Sequence, residues 1–207
     1  MKSFQIPREK DNRIHPGEMF KQSWDDQIIE HELKRARTER DLPMFDLDKV
    51  EIHLSKSCNL SCSWCYGRDV VPELGERENL PGRVVVDVLK NIREGMPGQN
   101  PLIVYAGLYS EPSLNRDFPE IVRKTGEKGF RFGIYTHGLF MTPELSEVIT
   151  NAAKNSGDSR PSYVSFNLTA LFDSKTKNHL ERLLGGISSL NESRRNNGSQ
   201  LLLNGSL

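Results

Sequence analysis

The chain has 207 residues, of which 36% are hydrophobic, and its 28 lysine and arginine residues equal its 28 aspartate and glutamate residues. This length and apolar content can bury one sizeable core, and no apolar run approaches the roughly 20 residues that a membrane-spanning helix needs. The balanced charge gives no field that would draw the protein to nucleic acid or to an anionic membrane, so neither is expected as a partner.

Residues 1–45 are polar and charged, and they are predicted to form an N-terminal extension with one helix at about residues 24–40. The basic run at residues 34–37 has acidic residues on both sides, which favours a solvated helix face over a binding patch. Residues 46–207 carry the regular apolar patterns. The sequence thus predicts a charged, partly helical extension followed by one β/α core.

The core begins with a strand that leads directly into a group of cysteines. Residues 50–55 alternate between apolar and polar side chains, which is the period of a strand with one apolar face. Cys58, Cys62 and Cys65 follow, and they are the only cysteines in the chain. Three clustered thiols do not form an even set of disulfides, and no signal-peptide pattern precedes them, so we expect a reducing, cytoplasmic location.

The cysteine spacing, C-x3-C-x2-C, is one ligand short of a closed metal site. A structural zinc ion has four protein ligands, whereas a catalytic metal keeps one position open for water or substrate. Iron-sulfur clusters are normally held by four thiolates, so three thiolates would leave one iron free to bind another molecule. The cysteines therefore predict a metal centre with an open coordination position.

Strand-like and helix-like patterns alternate through the rest of the chain. Pro81 suits a first helical position, and Thr142, Pro143 and Glu144 provide an N-cap, an N1 proline and a first-turn acid. Successive strands after the first are about 30 to 40 residues apart, which indicates βαβ units and a parallel sheet. The predicted strands are 102–106, 130–136, 163–168 and 201–203, and the predicted helices are 81–93, 116–127, 142–156 and 174–193.

Unusual polar residues follow each of the first four predicted strands. The cysteine loop follows the first strand, residues 109–112 follow the second, 136–138 the third and 167–169 the fourth. Ligands and catalytic groups gather at the carboxyl ends of parallel strands, because strand-to-helix loops and helix N-termini meet there. This edge is therefore the predicted site.

Strand parity places a further set of polar side chains on the face opposite the apolar one. That face would be the lumen of a wide barrel, a solvent face or an ordinary polar part of the core. The residues are Glu51, His53, Ser55, Tyr135, His137, Ser165 and Asn167.

Residues 54–67, LSKSCNLSCSWCYG, resemble the signature of the radical S-adenosylmethionine (SAM) superfamily, in which a strand ends in a C-x3-C-x-aromatic-C loop. The match includes the Asn-Leu pair after the first cysteine and the aromatic Trp64 before the third. The resemblance implies that the three thiolates hold a [4Fe-4S] cluster, whose fourth iron chelates the amino and carboxylate groups of SAM. The implied metal ligands are Cys58, Cys62 and Cys65.

Two further segments resemble the SAM-binding elements of that family. Residues 107–112 are similar to its Gly-Gly-Glu-Pro element, although Tyr109 and Ser110 stand in place of the two glycines. Residues 135–138 resemble its Thr-Asn-Gly element, with His137 in place of asparagine. The resemblance implies a set of cofactor-binding residues but no particular catalytic side chain. The cofactor-binding set is Trp64, Ser110, Glu111, Thr136, His137, Ser165 and Asn167.

The fold implied by the resemblance is α/β, a partial (β/α) TIM-like barrel of the radical SAM type that is truncated after the fourth or fifth strand. The implied activity is reductive cleavage of SAM to a 5'-deoxyadenosyl radical, which abstracts hydrogen from a substrate. An electron donor of the flavodoxin or ferredoxin type would be a partner, and the substrate would be a small molecule or a peptide. We expect the isolated chain to bind a cluster but to turn over poorly, because an incomplete barrel exposes a strand edge.

Two other interpretations fit the same residues. The first is a zinc-binding interaction module, in which His53 or His137 completes a Cys3His site. The second is a catalytically silent relative that serves as a partner protein, for which the replacement of glycines by Tyr109 and Ser110 is the indication. Iron content and cleavage of SAM distinguish the three interpretations.

Overall fold

The computed structural model describes residues 48–60, 62, 65, 79–106, 110–168 and 178–206. The predicted N-terminal extension at residues 1–45, with its helix, lies outside the described residues, and so does Trp64. The division between an extension and a core therefore stays a prediction.

Strands and helices alternate along the described part of the chain, as the sequence pattern predicts. None of the helices there is long and apolar enough to cross a membrane. The elements in chain order are β1 (Lys49–Ile52), α1 (Gly82–Gly95), β2 (Leu102–Tyr105), a short 3-10 helix (Pro112–Leu114), α2 (Phe118–Glu127), β3 (Phe132–Thr136), α3 (Pro143–Asn155), β4 (Tyr163–Asn167), α4 (His179–Asn197) and β5 (Leu202–Ser206).

The five strands form one parallel sheet in the order β1-β2-β3-β4-β5. Each right-handed crossover then advances the chain by one strand in the same direction, so the helices collect on one face of the sheet. α2 packs against α3, and α3 packs against α4. A doubly wound sheet would instead reverse its strand order and have helices on both faces. The winding is that of a (β/α) barrel, which confirms the predicted partial TIM-like fold.

The hydrophobic core lies between the sheet and these helices. Tyr105 of β2 reaches Thr125 of α2, and their hydroxyl oxygens are 2.5 Å apart, which marks the helix-facing side of the sheet. α1 adds an apolar stripe at positions i, i+4 and i+7. Burying each large apolar side chain contributes about 1.5–3 kcal/mol. The core residues of these elements are Val85, Leu89, Ile92, Ile103, Tyr105, Phe132, Ile134, Val164 and Phe166.

The opposite face of the sheet is partly exposed and carries polar groups. Glu51 on β1 and His53 just after it are exposed, and 44% of the surface of Tyr135 on β3 is accessible to solvent. The ring of Tyr163 lies against Gly133, where an added Cβ would come within 2.3 Å of it, and the Tyr163 hydroxyl donates to that of Tyr135 at 3.3 Å. Strand parity predicted that these polar side chains lie on one face, opposite the apolar side chains.

Strand parity does not extend to Ser55, because β1 is shorter than the alternating pattern suggests. β1 ends at Ile52, and Ser55 lies buried in an isolated antiparallel bridge with Asn79. Its hydroxyl is 2.8 Å from that of Ser57. Ser55 therefore helps to shape the start of the cysteine loop and does not line an open face.

Two helices begin at their sequence signals or one residue away from them. Thr142 caps α3 as predicted, because its hydroxyl accepts a hydrogen bond from the Leu145 N–H at 3.2 Å. The sequence predicts Pro81 as the first residue of α1. In the structure Pro81 is the residue before the helix, which begins at Gly82. The Gly82 N–H that follows donates to the carboxylate of Asp117 at 2.9 Å, so a side chain distant in sequence satisfies the start of this helix.

Candidate active site

The cysteine loop begins six residues after β1 ends, at the carboxyl edge of the sheet. Cys58, Cys62 and Cys65 are free thiols and are half-buried. The Cys65 N–H donates to the Cys62 carbonyl oxygen at 3.0 Å, so a backbone hydrogen bond joins these two cysteines. The Leu60 N–H points at the Sγ of Cys58, at 3.4 Å. This backbone donor favours the thiolate form, which is the form that binds a metal.

The electrostatic surroundings of Cys58 oppose a bare negative charge. Burial raises the pKa of Cys58 to about 11; the Leu60 N–H works in the opposite direction, while Glu111 and the other two cysteines raise the pKa further. The thiols are thus close enough to influence one another, and a carboxylate adds to their mutual repulsion. A site that accumulates negative charge in this way suits a positively charged group, because bound iron would offset the repulsion.

Glu111 is the centre of the polar cluster at this edge. Its side chain is 2% exposed, and its Oε1 accepts hydrogen bonds from the Ser113 hydroxyl at 2.5 Å, the Ser113 N–H at 3.2 Å and the Thr136 hydroxyl at 2.6 Å. Oε2 accepts from the His137 N–H at 2.9 Å. The predicted residues Glu111, Thr136 and His137 therefore meet in one buried cluster. The local cause is that Glu111 caps the 3-10 helix, whose first residue is a proline.

His137 links this cluster to the cysteine loop. Its Nε2 is 2.8 Å from the Oδ1 of Asn59, and it lies 3.4 Å from the Oε2 of Glu111. Its Nδ1 accepts a hydrogen bond from the Leu139 N–H at 3.1 Å. Since Nδ1 accepts, the proton of the neutral ring is on Nε2, which donates towards Asn59. Burial lowers the pKa of His137, so the neutral form prevails at neutral pH even though Glu111 pulls the pKa upwards.

Two residues of α4 lie next to His137 and the residues that follow it. The His179 ring stands edge-on to it, with ring centroids 6.3 Å apart, and the Arg182 guanidinium donates to the Leu139 carbonyl oxygen at 3.2 Å. The positive charges that these two side chains can carry also lower the pKa of His137. Neither residue carried a recognisable sequence signal, because α4 comes close to the site only through the winding of the sheet.

Asn115 is a second residue that the sequence did not single out. It is 1% exposed, and its amide donates to the carbonyl oxygens of Leu54 at 2.8 Å and Leu80 at 2.9 Å. These contacts clip the end of the first strand to the start of α1, on either side of the cysteine loop. The Glu111 N–H adds another clip by donating to the Ser57 carbonyl oxygen at 3.0 Å. The entry and exit of the loop are therefore fixed by residues from the second βα unit.

Ser110, Ser165 and Asn167 follow or lie on β2 and β4, towards the same edge of the sheet. Ser165 is buried on β4, in register with Tyr135, and Asn167 ends β4 in an exposed position. The Ser110 hydroxyl is buried and has no hydrogen-bond partner within the described ranges. Trp64 lies outside the described residues.

The geometry weighs against the zinc interpretation. In the part of the chain that the structure describes, no three His, Cys, Asp or Glu side chains converge closely enough to hold one metal ion. Both ring nitrogens of His137 are engaged by Asn59 and Leu139. A tetrahedral zinc ion needs four ligands at one point, whereas thiolates on separate irons of a cluster stand apart. The donor set of three thiols therefore fits a [4Fe-4S] cluster better than a zinc ion.

The sequence model of the radical SAM superfamily matches residues 52–198 of the chain. The chain therefore belongs to this superfamily. Its members are enzymes that use a [4Fe-4S] cluster and SAM, which confirms the family and the cofactors that the cysteine signature predicts.

Three known proteins illustrate the relationship. The chain is 27% identical over 154 residues to the Fe-coproporphyrin III synthase of Methanosarcina barkeri, covering 70% of this chain and 35% of that protein. It is 26% identical over 94 residues to the tungsten-containing aldehyde ferredoxin oxidoreductase cofactor-modifying protein of Pyrococcus furiosus, covering 45% and 25%. The crystal structure of Streptococcus suis SuiB bound to precursor peptide SuiA aligns with a TM-score of 0.52 and 16% identity, covering 99% of this chain and 41% of that chain.

The names of these three proteins refer to different molecules: a coproporphyrin, the cofactor of an oxidoreductase and a precursor peptide. The similarity to SuiB, at its low identity, supports the fold alone. The chain spans about a third and a quarter of the two curated relatives that it matches, at 35% and 25% of their lengths. Substrate and reaction therefore have to be argued from the residues of this chain.

Proposed function

We propose that this chain is the core of a radical SAM enzyme, with residues 46–207 forming the core and residues 1–45 an extension. Cys58, Cys62 and Cys65 would hold the [4Fe-4S] cluster. When bound, the cluster and SAM supply a 5'-deoxyadenosyl radical that abstracts hydrogen from substrate. One observation carries the proposal: three free thiols follow β1 at the same edge as the buried Glu111 cluster, and backbone and side-chain hydrogen bonds join the two.

Glu111 is assigned the role of an anchor in this proposal. A carboxylate has about four acceptor positions, and Glu111 already accepts four hydrogen bonds from Ser113, Thr136 and His137. It therefore has little capacity left for the amino group of SAM. Its function would be to hold the ends of β2 and β3 in register with the cysteine loop, so that backbone groups of that edge face the cofactor.

The hydroxyl of Ser110 is the better candidate for a direct contact with SAM. Ser110 Oγ is buried without a hydrogen-bond partner among the described residues, and Ser165 is a buried serine on β4. A buried hydroxyl without a partner costs about 1–3 kcal/mol, which a polar ligand would recover. Asn167 at the end of β4 and Trp64 in the cysteine loop complete the proposed cofactor-binding set.

The polar face of the sheet, opposite the helices, would receive the substrate. Tyr135 and Tyr163 stand edge-on there, with ring centroids 5.8 Å apart, and Glu51 and His53 are exposed on the neighbouring strand. Phenol faces and hydroxyls accept both apolar and polar groups, so a small molecule or a peptide segment fits this surface. SuiB, which is similar in fold, was crystallised with a precursor peptide. An electron donor of the flavodoxin or ferredoxin type and a cytoplasmic location complete the proposal.

Anaerobic reconstitution with iron and sulfide tests the proposal directly. Expected results are a brown protein with about four iron atoms per chain and release of 5'-deoxyadenosine after addition of SAM and dithionite. The control is Cys62→Ala, which should lose both. A colourless protein with one zinc ion would show a zinc module. A full cluster that yields no more 5'-deoxyadenosine than the Cys62→Ala variant would show a catalytically silent relative.

A further inference from the structure

We propose that His137 is a positioning residue for Cys58: by donating from Nε2 to Asn59, it fixes the loop in which this cysteine would bind the cluster. The proposal rests on the proposed function, because it assigns Cys58 to the cluster. It concerns a feature of this particular chain, since asparagine occupies this position in the element that residues 135–138 resemble.

Cys58 is held from both sides in sequence. On one side, the Ser57 carbonyl oxygen accepts from the Glu111 N–H at 3.0 Å, and on the other the Asn59 Oδ1 accepts from His137 Nε2 at 2.8 Å. The two tethers come from the ends of β2 and β3. A residue between two fixed neighbours has little freedom to turn, so these contacts determine where the thiol of Cys58 points. Mutation of a group that orients a metal ligand typically lowers metal affinity or activity by about 10- to 100-fold.

The ring of His137 can serve as a tether because it is itself immobile. It is 5% exposed, and the Leu139 N–H donates to its Nδ1 at 3.1 Å, which fixes both the ring orientation and the tautomer. The rings of Phe140 and His179 pack on it, with centroids at 5.8 and 6.3 Å. With Nδ1 occupied, the only ring proton is on Nε2, which lies 2.8 Å from Asn59 and 3.4 Å from the carboxylate of Glu111.

The side-chain length of histidine matters for this contact. The amide of an asparagine at position 137 would stand near the place of Nδ1, so it could still accept from the Leu139 N–H but would fall short of Asn59. The amide nitrogen of a glutamine stands near the place of Nε2 and can donate to Asn59. His137→Asn and His137→Gln therefore separate the two hydrogen bonds of the ring, and they form a matched pair.

The experiment compares the full chain and the variants His137→Gln, His137→Asn and His137→Ala after anaerobic reconstitution. We measure the rate of iron loss to a ferrous chelator and the electron paramagnetic resonance spectrum of the dithionite-reduced cluster. His137→Gln should retain iron as the wild type does, whereas His137→Asn and His137→Ala should lose it about 10 to 100 times faster. The spectrum of His137→Gln should resemble that of the wild type, whereas the spectra of His137→Asn and His137→Ala should differ from it. Asn59→Ala should lose iron at the same rate as His137→Ala. The double variant should lose iron no faster than either single variant, because both substitutions remove the same hydrogen bond.

A second measurement does not need a cluster. In the apoprotein, the alkylation of Cys58 by iodoacetamide, read by peptide mass spectrometry relative to Cys65, should rise severalfold in His137→Asn and His137→Ala and stay at the wild-type level in His137→Gln. Equal iron retention and equal alkylation in His137→Asn and wild type would overturn the proposal, and so would a His137→Gln variant that behaves like His137→Ala. If the wild type takes up no cluster, the proposed function fails, and the alkylation pattern alone then decides whether His137 fixes the loop.

Discussion

The two ends of the sheet carry polar clusters that are built in opposite ways. At the amino end, Asp158 meets the guanidinium groups of Arg160 at 3.0 Å and Arg131 at 3.3 Å, and the amide of Asn100 donates to the same carboxylate at 3.3 Å. At the carboxyl end, the hydrogen bonds that Glu111 accepts within the described ranges come from hydroxyls and backbone N–H groups. Negative charge is matched by positive charge at one end and by neutral donors at the other.

Other residues extend this contrast. Arg93 stacks on the ring of Phe130 at 3.9 Å and donates to the Lys128 carbonyl oxygen at 2.9 Å, which binds α1 to the amino end of β3. At the carboxyl end, the three thiols share an edge of the sheet with Glu111, and burial raises the pKa of Cys58 to about 11, with further contributions from Glu111 and the other two cysteines. In barrels of this type the amino end serves stability and the carboxyl end serves function. Here the carboxyl end combines a buried carboxylate with three thiols, and the iron of a bound cluster would offset the negative charge that the thiols gain when they bind it.

Replacing Glu111 by glutamine should have the largest effect, because it breaks the carboxyl-end cluster. A glutamine amide would direct N–H groups at donors that the carboxylate now satisfies, on whichever side its nitrogen lies. We expect the free energy of unfolding of the apoprotein to fall by about 3 kcal/mol, measured by urea denaturation. Glu51→Gln, an exposed carboxylate on the same sheet, is the control and should change it by less than about 0.5 kcal/mol. Equal stability of Glu111→Gln and wild type would contradict the assigned anchor role.

Gly138→Ala should have an intermediate effect at the same end. Gly138 has a φ of 77°, and an added Cβ would lie 2.6 Å from the Cδ1 of Leu183 and 2.9 Å from that of Phe166. Left-handed backbone and overpacking together should lower the free energy of unfolding by about 2 kcal/mol.

The control for this change is Gly95→Ala at the end of α1, where an added Cβ meets no atom within 4 Å. It should leave stability unchanged or raise it by up to about 1 kcal/mol. If the two alanine variants have the same denaturation midpoint, the tight approach of α4 to the turn after β3 is not a constraint on the fold.

Asp158→Asn should have the smallest effect and should act on stability without acting on the cluster. The hydrogen bonds from Arg160, with further help from Arg131, lower the pKa of Asp158 below its usual 3.8. A depressed carboxyl pKa stabilises the fold above the unfolded value and loses that contribution as the pH falls through the folded value. The variant should therefore lose about 1 kcal/mol at neutral pH, and the difference from wild type should vanish well below pH 3.8.

Iron content after reconstitution tests whether the two ends of the sheet have separate roles. Asp158→Asn should bind iron as the wild type does, since the network that it disturbs is at the far end of the strands. A loss of iron in this variant would mean that the two ends are coupled through the sheet and that the division between a stabilising end and a functional end is wrong.

The sequence by itself determined the class of fold and the kind of cofactor. Apolar residues recur with the period of a strand or a helix, and the strands come at spacings that only βαβ units accommodate, so the parallel sheet could be predicted locally. The cysteines could be recognised because a cluster loop supplies its ligands from one short segment. Thr142 could be recognised as a cap for the same reason, since it bonds to a residue three positions away.

Only the tertiary structure decided how the edge of the site is assembled. His137 and Asn59 are 78 residues apart, and Asn115 and Leu54 are 61 apart, so no local pattern connects them. The sequence indicated Glu111 as a cofactor-binding residue, and only the fold shows that it also accepts four hydrogen bonds from three neighbouring residues. Contacts of this kind depend on which strands become neighbours, and that is fixed by packing the whole sheet against its helices.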